Sequence, residues 1–198
     1  MGEKQVFQPL TREDRITVVL YRIGIVLSAA IIACMAYLAA TASAASRDGF
    51  PADVLVYCLY ASVGMCVFFI HLYVGQFKVY LKNLYFIGLG CLVLLLFIGK
   101  GSLSAALVQT PYSLLLFLPL SGCLGFVTAK EAFCFQLFEG YLLAMIMPLY
   151  LLLVSAGILG AQASVSGLVL IAAMLVLFTV RKAFMPLAYD IGDKSAYR

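Results

Sequence analysis

Charge is scarce in this chain. Of 198 residues only 11% are Asp, Glu, Lys or Arg, against 65% hydrophobic, where a soluble domain carries about 25% charged and about 45–50% apolar residues. Together with a mean hydropathy of +1.08, this excludes an ordinary soluble fold and places the chain in a bilayer. Histidine occurs once, at His71, which excludes a bis-histidine haem within one chain and a histidine-rich metal centre. Tryptophan is absent. That excludes nothing, because tyrosines such as Tyr21, Tyr73, Tyr80 and Tyr141 suit an interfacial aromatic belt. Also missing are H-E-x-x-H, a nucleophile elbow, a phosphate loop and paired aspartates. Ser43, Ser46 and Ser121 have no histidine in reach, so no catalytic residue is assigned and a non-enzymatic protein is expected. The six cysteines, Cys34, Cys58, Cys66, Cys91, Cys123 and Cys134, show no C-x-x-C spacing and lie in or beside apolar runs, as buried thiols do.

The hydrophobic runs that remain define an all-α fold. At roughly 20 residues per span, the length suits five to seven helices in one integral-membrane domain, with no room for a separate soluble one. The net charge of +4 sits mostly at the two ends and points to membrane orientation, not to nucleic acid. Glu3, Glu13 and Asp14 precede a run too long for a signal-peptide h-region, so the first span is expected to stay in the mature protein.

Spans are expected near residues 16–42, 54–74, 79–98, 111–127, 137–156 and 167–180. Thr11 reads as the first N-cap, answered by Asp14. The string 39–46 and the turn Arg47-Asp48-Gly49-Phe50-Pro51 end span 1, and Gly75 as C′ residue ends span 2. Lys78 and Lys82 can snorkel from the start of span 3, where Gly88 and Gly90 allow close helix contact. Gly99-Lys100-Gly101-Ser102 breaks that span, 103–109 is too short to cross, and Thr110-Pro111 opens span 4, which ends near Gly125. Thr128-Ala129-Lys130-Glu131 carries the T-x-x-E capping-box pattern and places a helix start there, the helix running past Pro148. It would be about 43 Å long, so either its first turns protrude or Gly140 breaks it and 129–139 lie in the interface. Gly157 to Ser166 forms the next turn, and a polar tail follows Arg181-Lys182.

Six spans put about 10 bases on one side (Lys4, Arg12, Arg15, Lys78, Lys82, Lys130, Arg181, Lys182, Lys194 and Arg198) and about 2 on the other (Arg47 and Lys100). Both termini are therefore expected in the cytoplasm. Counting from the far end of each helix puts Arg22, His71 and Glu139 in one layer near the cytoplasmic edge of the hydrocarbon, with Glu131, Lys130 and Lys78 slightly shallower. Charge at that depth is costly unless paired. The expectation is an intramembrane polar cluster with an Arg22 to Glu139 or Arg22 to Glu131 ion pair and His71 nearby.

Asp14-Arg15 with Tyr21-Arg22, His71-Leu72-Tyr73 with Phe77-Lys78, and Lys130-Glu131 with Phe133-Cys134-Phe135 resemble the signature positions of an integral-membrane family called domain of unknown function 2301. The resemblance implies a small polytopic protein of bacterial membranes, the cytoplasmic membrane or a cyanobacterial thylakoid, with no assigned activity. Several uses of the cluster stay open. Helix-packing glue and interfacial anchoring is the plain one, and suits an accessory or assembly subunit of a larger membrane complex or a homo-oligomer. A transporter or channel using Glu139, Glu131 and His71 is opposed by outer helix halves nearly bare of polar groups. His71 and Cys134 are candidate ligand-binding residues, His71 for a haem or pigment, or both with Glu131 for a metal. The sequence names no cofactor.

Overall fold

The computed structural model describes residues 11–41, 52–72, 75–186 and 190, and every described element is helical. The helices are α1 (Arg12–Thr41), α2 (Ala52–Phe69), α3 (Gly75–Ile98), α4 (Leu103–Gln109), α5 (Leu118–Phe135), α6 (Phe138–Ser155) and α7 (Ala161–Ala183), with a 3-10 turn, Pro111–Phe117, leading into α5. Five segments are long and apolar enough to cross a membrane: α1, α3, Tyr112–Phe135, α6 and α7; the shorter Asp53–Phe69 is apolar as well. The turn at 47–51, Tyr73, Val74, Lys4, Lys194 and Arg198 lie outside the described residues.

Several local signals produce the structure expected of them. Thr11 N–H donates to Asp14 Oδ2 at 2.9 Å and Asp14 N–H to Thr11 Oγ1 at 3.2 Å, a reciprocal cap at the start of α1. Lys100 and Gly101, at φ 52° and 98°, turn the chain out of α3. The next short helix, α4, is capped from a distance, since Asp53 accepts the N–H of Leu103 at 3.0 Å and of Ser104 at 2.9 Å.

Three expected boundaries move, and one of them is the start of α7, which lies at Ala161 inside the turn expected over Gly157 to Ser166. The second helix stops at Phe69, and Gly75 is the first residue of α3 instead of the end of α2. The chain leaves α2 where Ile70 is fully buried and His71 turns to Thr17. More consequentially, Thr128 caps nothing. It sits inside α5 with its hydroxyl returned to Gly125 O at 3.0 Å, and α5 continues through Glu131 to Phe135. The break falls at Gln136, in the left-handed region at φ 54°, and α6 begins at Phe138. Residues 129–139 are therefore not part of one long helix: they form the end of α5, a tight turn and the start of α6, and the break falls at Gln136 instead of Gly140.

Close approach makes this hairpin possible. A Cβ on Gly140 would lie 2.5 Å from Thr128 O and 2.9 Å from the Ala132 methyl, and one on Gly125 would lie 3.4 Å from Ala144. The helices thus pack backbone to backbone, as small residues allow in membranes. At the α1 and α2 contact a Cβ on Gly24 would meet Cys66 Sγ at 2.8 Å, and Ser28 and Ser62 share a hydroxyl hydrogen bond of 2.9 Å one turn further on. The expected small-residue contact on α3 is not of this kind: a Cβ would meet only ordinary contacts at Gly88 and open space at Gly90.

Candidate functional site

The start of α1, the ends of α2, α5 and α7 and the start of α6 meet at one end of the bundle, and most of the charge of the described helices meets there too. Glu131 is fully buried on the last turns of α5. Its Oε1 accepts from the Tyr21 hydroxyl at 2.7 Å and from Lys130 Nζ at 2.7 Å, while Oε2 pairs with Lys182 Nζ. Lys182, 1% exposed, also pairs with Asp190 Oδ1 and stands 3.7 Å from the Phe135 ring centroid. Asp190 Oδ2 accepts from Arg22 Nε at 2.6 Å. The remaining guanidinium donors reach Met185 O at 2.5 Å, Pro186 O at 3.1 Å and Ala183 O at 3.4 Å.

The arrangement is a continuous chain from Lys130 through Glu131, Lys182 and Asp190 to Arg22. Low dielectric strengthens each pair, and each buried charge has an opposite partner, which is the condition under which burial of ions is tolerated. Three cations face two carboxylates. The excess cation, Lys130, stands 5.4 Å from the Tyr21 ring centroid and keeps some exposure.

The expected ion pair is replaced. Arg22 pairs with Asp190, not with Glu131 or Glu139. Glu139, at the start of α6, takes a two-oxygen contact from Arg181 at 2.6 and 2.8 Å. That pair stands at the rim, with the Arg181 side chain 51% exposed. The physical reason is the helix break at Gln136: it turns Glu139 onto a second helix facing α7, whereas one continuous helix would carry it toward α1 with Glu131.

His71 lies just past α2 with Nε2 3.2 Å from Thr17 Oγ1, and its Nδ1 is buried without a hydrogen-bond partner. Burial first, then the nearby Lys130 and Lys78 ammoniums, push the imidazole below its ordinary value; Asp14 and Asp190 oppose the shift without reversing it. Among the described residues Lys78 makes no ion pair, and no three His, Cys, Asp or Glu side chains gather as a ligand set. The His71, Cys134, Glu131 metal site is therefore not assembled: Cys134 is exposed on α5 while Glu131 is buried.

Sequence reasoning overlooked Lys182 and Asp190 as members of the cluster and placed Tyr21 in an aromatic belt. One signal for Asp190 exists. Arg22, Lys130 and Lys182 outnumber Glu131, and beyond Asp53 the only other acids are Glu139, Asp190 and Asp193, so charge balance points to a carboxylate from the tail.

A family model described as "Uncharacterized integral membrane protein (DUF2301)" matches residues 65–198. The match takes in His71, Phe77-Lys78, Lys130-Glu131, Glu139-Gly140 and the tail with Asp190, but not Asp14-Arg15 or Tyr21-Arg22. No curated protein and no solved structure matches the chain. Matched over more than half its length, the chain belongs to the DUF2301 family of uncharacterized integral membrane proteins.

Proposed function

We propose that this multi-pass protein is a non-enzymatic accessory or assembly subunit of a larger complex in the bacterial cytoplasmic or thylakoid membrane. It forms one domain of six crossings, the short α2 included, with both termini on the cytoplasmic side. In that topology the charged end of the bundle is the cytoplasmic end, in keeping with the excess of bases there.

The observation that carries this reading is the disposition of charge. The buried ions are spent on one another: Glu131, Lys182, Asp190 and Arg22 tie α1, α5, α7 and the tail together. The charges left outward, Arg12, Glu13 and Arg15 at the start of α1 and Arg181 on α7, form a rim. Rim charges of this sort set partner choice and encounter rate more than stability. A proton relay through Glu139 and His71 has less support, since Arg181 holds one and Thr17 the other. Haem or pigment ligation through His71 Nε2 would require the Thr17 contact to be given up.

The test is purification of the tagged full chain from its own membrane in mild detergent. The expected result is a stoichiometric complex larger than the monomer that dissociates when Arg12 and Arg15 are both changed to Glu, with the monomer still folded. A particle containing this chain alone, unchanged by the charge reversal, would overturn the reading.

A further inference from the structure

Serine and threonine inside helices often return their hydroxyl to a carbonyl one turn back. Here Ser28 donates to Gly24 O at 2.8 Å, Ser62 to Leu59 O at 2.9 Å and Ser155 to Leu151 O at 2.7 Å. Ser121, near the start of α5, departs from this habit: its Oγ is closed off from solvent and has no hydrogen-bond partner. Thr179 Oγ1 is in the same condition, but Ser121 also lines a cavity.

That cavity, of ≈ 210 Å³, is partly open and lies among α1, α2, α4, α5, α6, α7 and the 3-10 turn. Apart from Ser121 its wall is apolar apart from one tyrosine, with Met35, Phe117, Leu124, Met147 and Tyr150 among the lining residues. Aromatic rings and thioethers accommodate a flat ring well. The lining draws on the far half of α1 and the near half of α2, so the cavity sits toward the end of the bundle away from the charged cluster. Ser121 precedes Phe135 by a length of helix of about 21 Å. In a hydrocarbon core of about 30 Å, this puts Ser121 well beneath the opposite surface. Phospholipid ester carbonyls stay at that surface. A carbonyl able to reach Ser121 belongs to a molecule dissolved within the bilayer.

We propose that this cavity binds a membrane-dissolved alkyl quinone, with a ring carbonyl accepting from the Ser121 hydroxyl and the alkyl tail following the helices into the lipid. Because the Ser121 Oγ is closed off as it stands, this hydrogen bond requires rotation about χ1, a step between staggered wells. Binding is all that the geometry assigns; no electron transfer is implied.

The test uses the full chain in nanodiscs of diether phospholipid, which has no ester carbonyl, with a radiolabelled decyl-substituted benzoquinone as probe. Saturable binding is expected, weakened about tenfold in Ser121→Ala, the worth of about one hydrogen bond, and lost in the cavity-filling Leu168→Phe. Decylbenzene should not compete. Undiminished binding in Ser121→Ala overturns the proposal. So does equal competition by decylbenzene, which would mean a merely apolar void, and so does loss of quinone binding in diester nanodiscs, which would mean a phospholipid site. Should Leu168→Phe fail to give a monodisperse protein, Ser121→Ala and the competitor decide alone.

Discussion

The Tyr21 hydroxyl donates to Glu131 Oε1 at 2.7 Å, across 110 residues of chain and between the first helix and the end of α5. Both side chains are buried, so the bond has no water to fall back on. Tyr21→Phe is expected to lower stability in detergent by about 1.5–3 kcal/mol, the range for a hydrogen bond to a charged group. Thermal or denaturant unfolding of the purified protein measures it.

Removing one ion from the buried chain should cost more than removing a pair. Glu131→Gln leaves Lys182 with one carboxylate fewer in a site from which water is excluded, and is expected to cost about 3–5 kcal/mol. Combining it with Lys182→Met should recover part of that loss. A double variant as unstable as the sum of the two singles would show that Glu131 and Lys182 are not coupled.

Arg22 and Asp190 should behave as a unit. Arg22→Ala, Asp190→Asn and their combination are expected to be non-additive by about 1 kcal/mol or more, while Arg22→Ala with Glu139→Ala should add to within about 0.5 kcal/mol. The two cycles, run side by side, distinguish the observed pairing from the one the sequence suggested.

The state of His71 ties stability to pH. Its imidazole is held below its ordinary value, chiefly by burial, so the unfolded chain takes up the proton more readily than the folded one. The contribution is complete above about pH 6.5 and is lost as pH falls through that value toward the folded pKa. His71→Gln should flatten the slope of Tm against pH in this window. An unchanged slope would mean that other groups carry it.

Gly140 and Gly90 provide a packing contrast. Gly140→Ala forces a methyl against Thr128 O and Ala132 and is expected to cost about 1–3 kcal/mol, with the Arg181 to Glu139 pair disturbed. Gly90→Ala meets nothing within 4 Å and should be neutral or slightly stabilising, as the gain in helix propensity implies. Unfolding of the two variants under one condition provides the comparison.

What was legible in the sequence was local. Hydropathy over about 20 residues places an apolar helix without reference to any other part of the chain, which is why α1, α3 and α6 stand close to their expected positions, while α7 covers its expected span but begins earlier, at Ala161. Thr11 with Asp14 and Gly99 with Gly101 act over one turn of backbone, and the structure uses both as read. The T-x-x-E pattern at Thr128 misled for the same reason. It is a local signal, and the backbone packing of α5 against α6 through Gly125 and Gly140 overrode it, moving the break to Gln136. That shift of a helix boundary is what separated Glu131 from Glu139. That Arg22, His71, Lys130, Glu131 and Glu139 would lie toward one end followed from span order, whereas the entry of Lys182 and Asp190 into the cluster, and the pairing itself, followed from packing. Charge balance asks for a tail carboxylate, but across the sequence separation of 168 between Arg22 and Asp190 no local pattern announces the contact, because it exists only once α1 and α7 lie side by side and Met185, Pro186 and Asp190 meet the guanidinium.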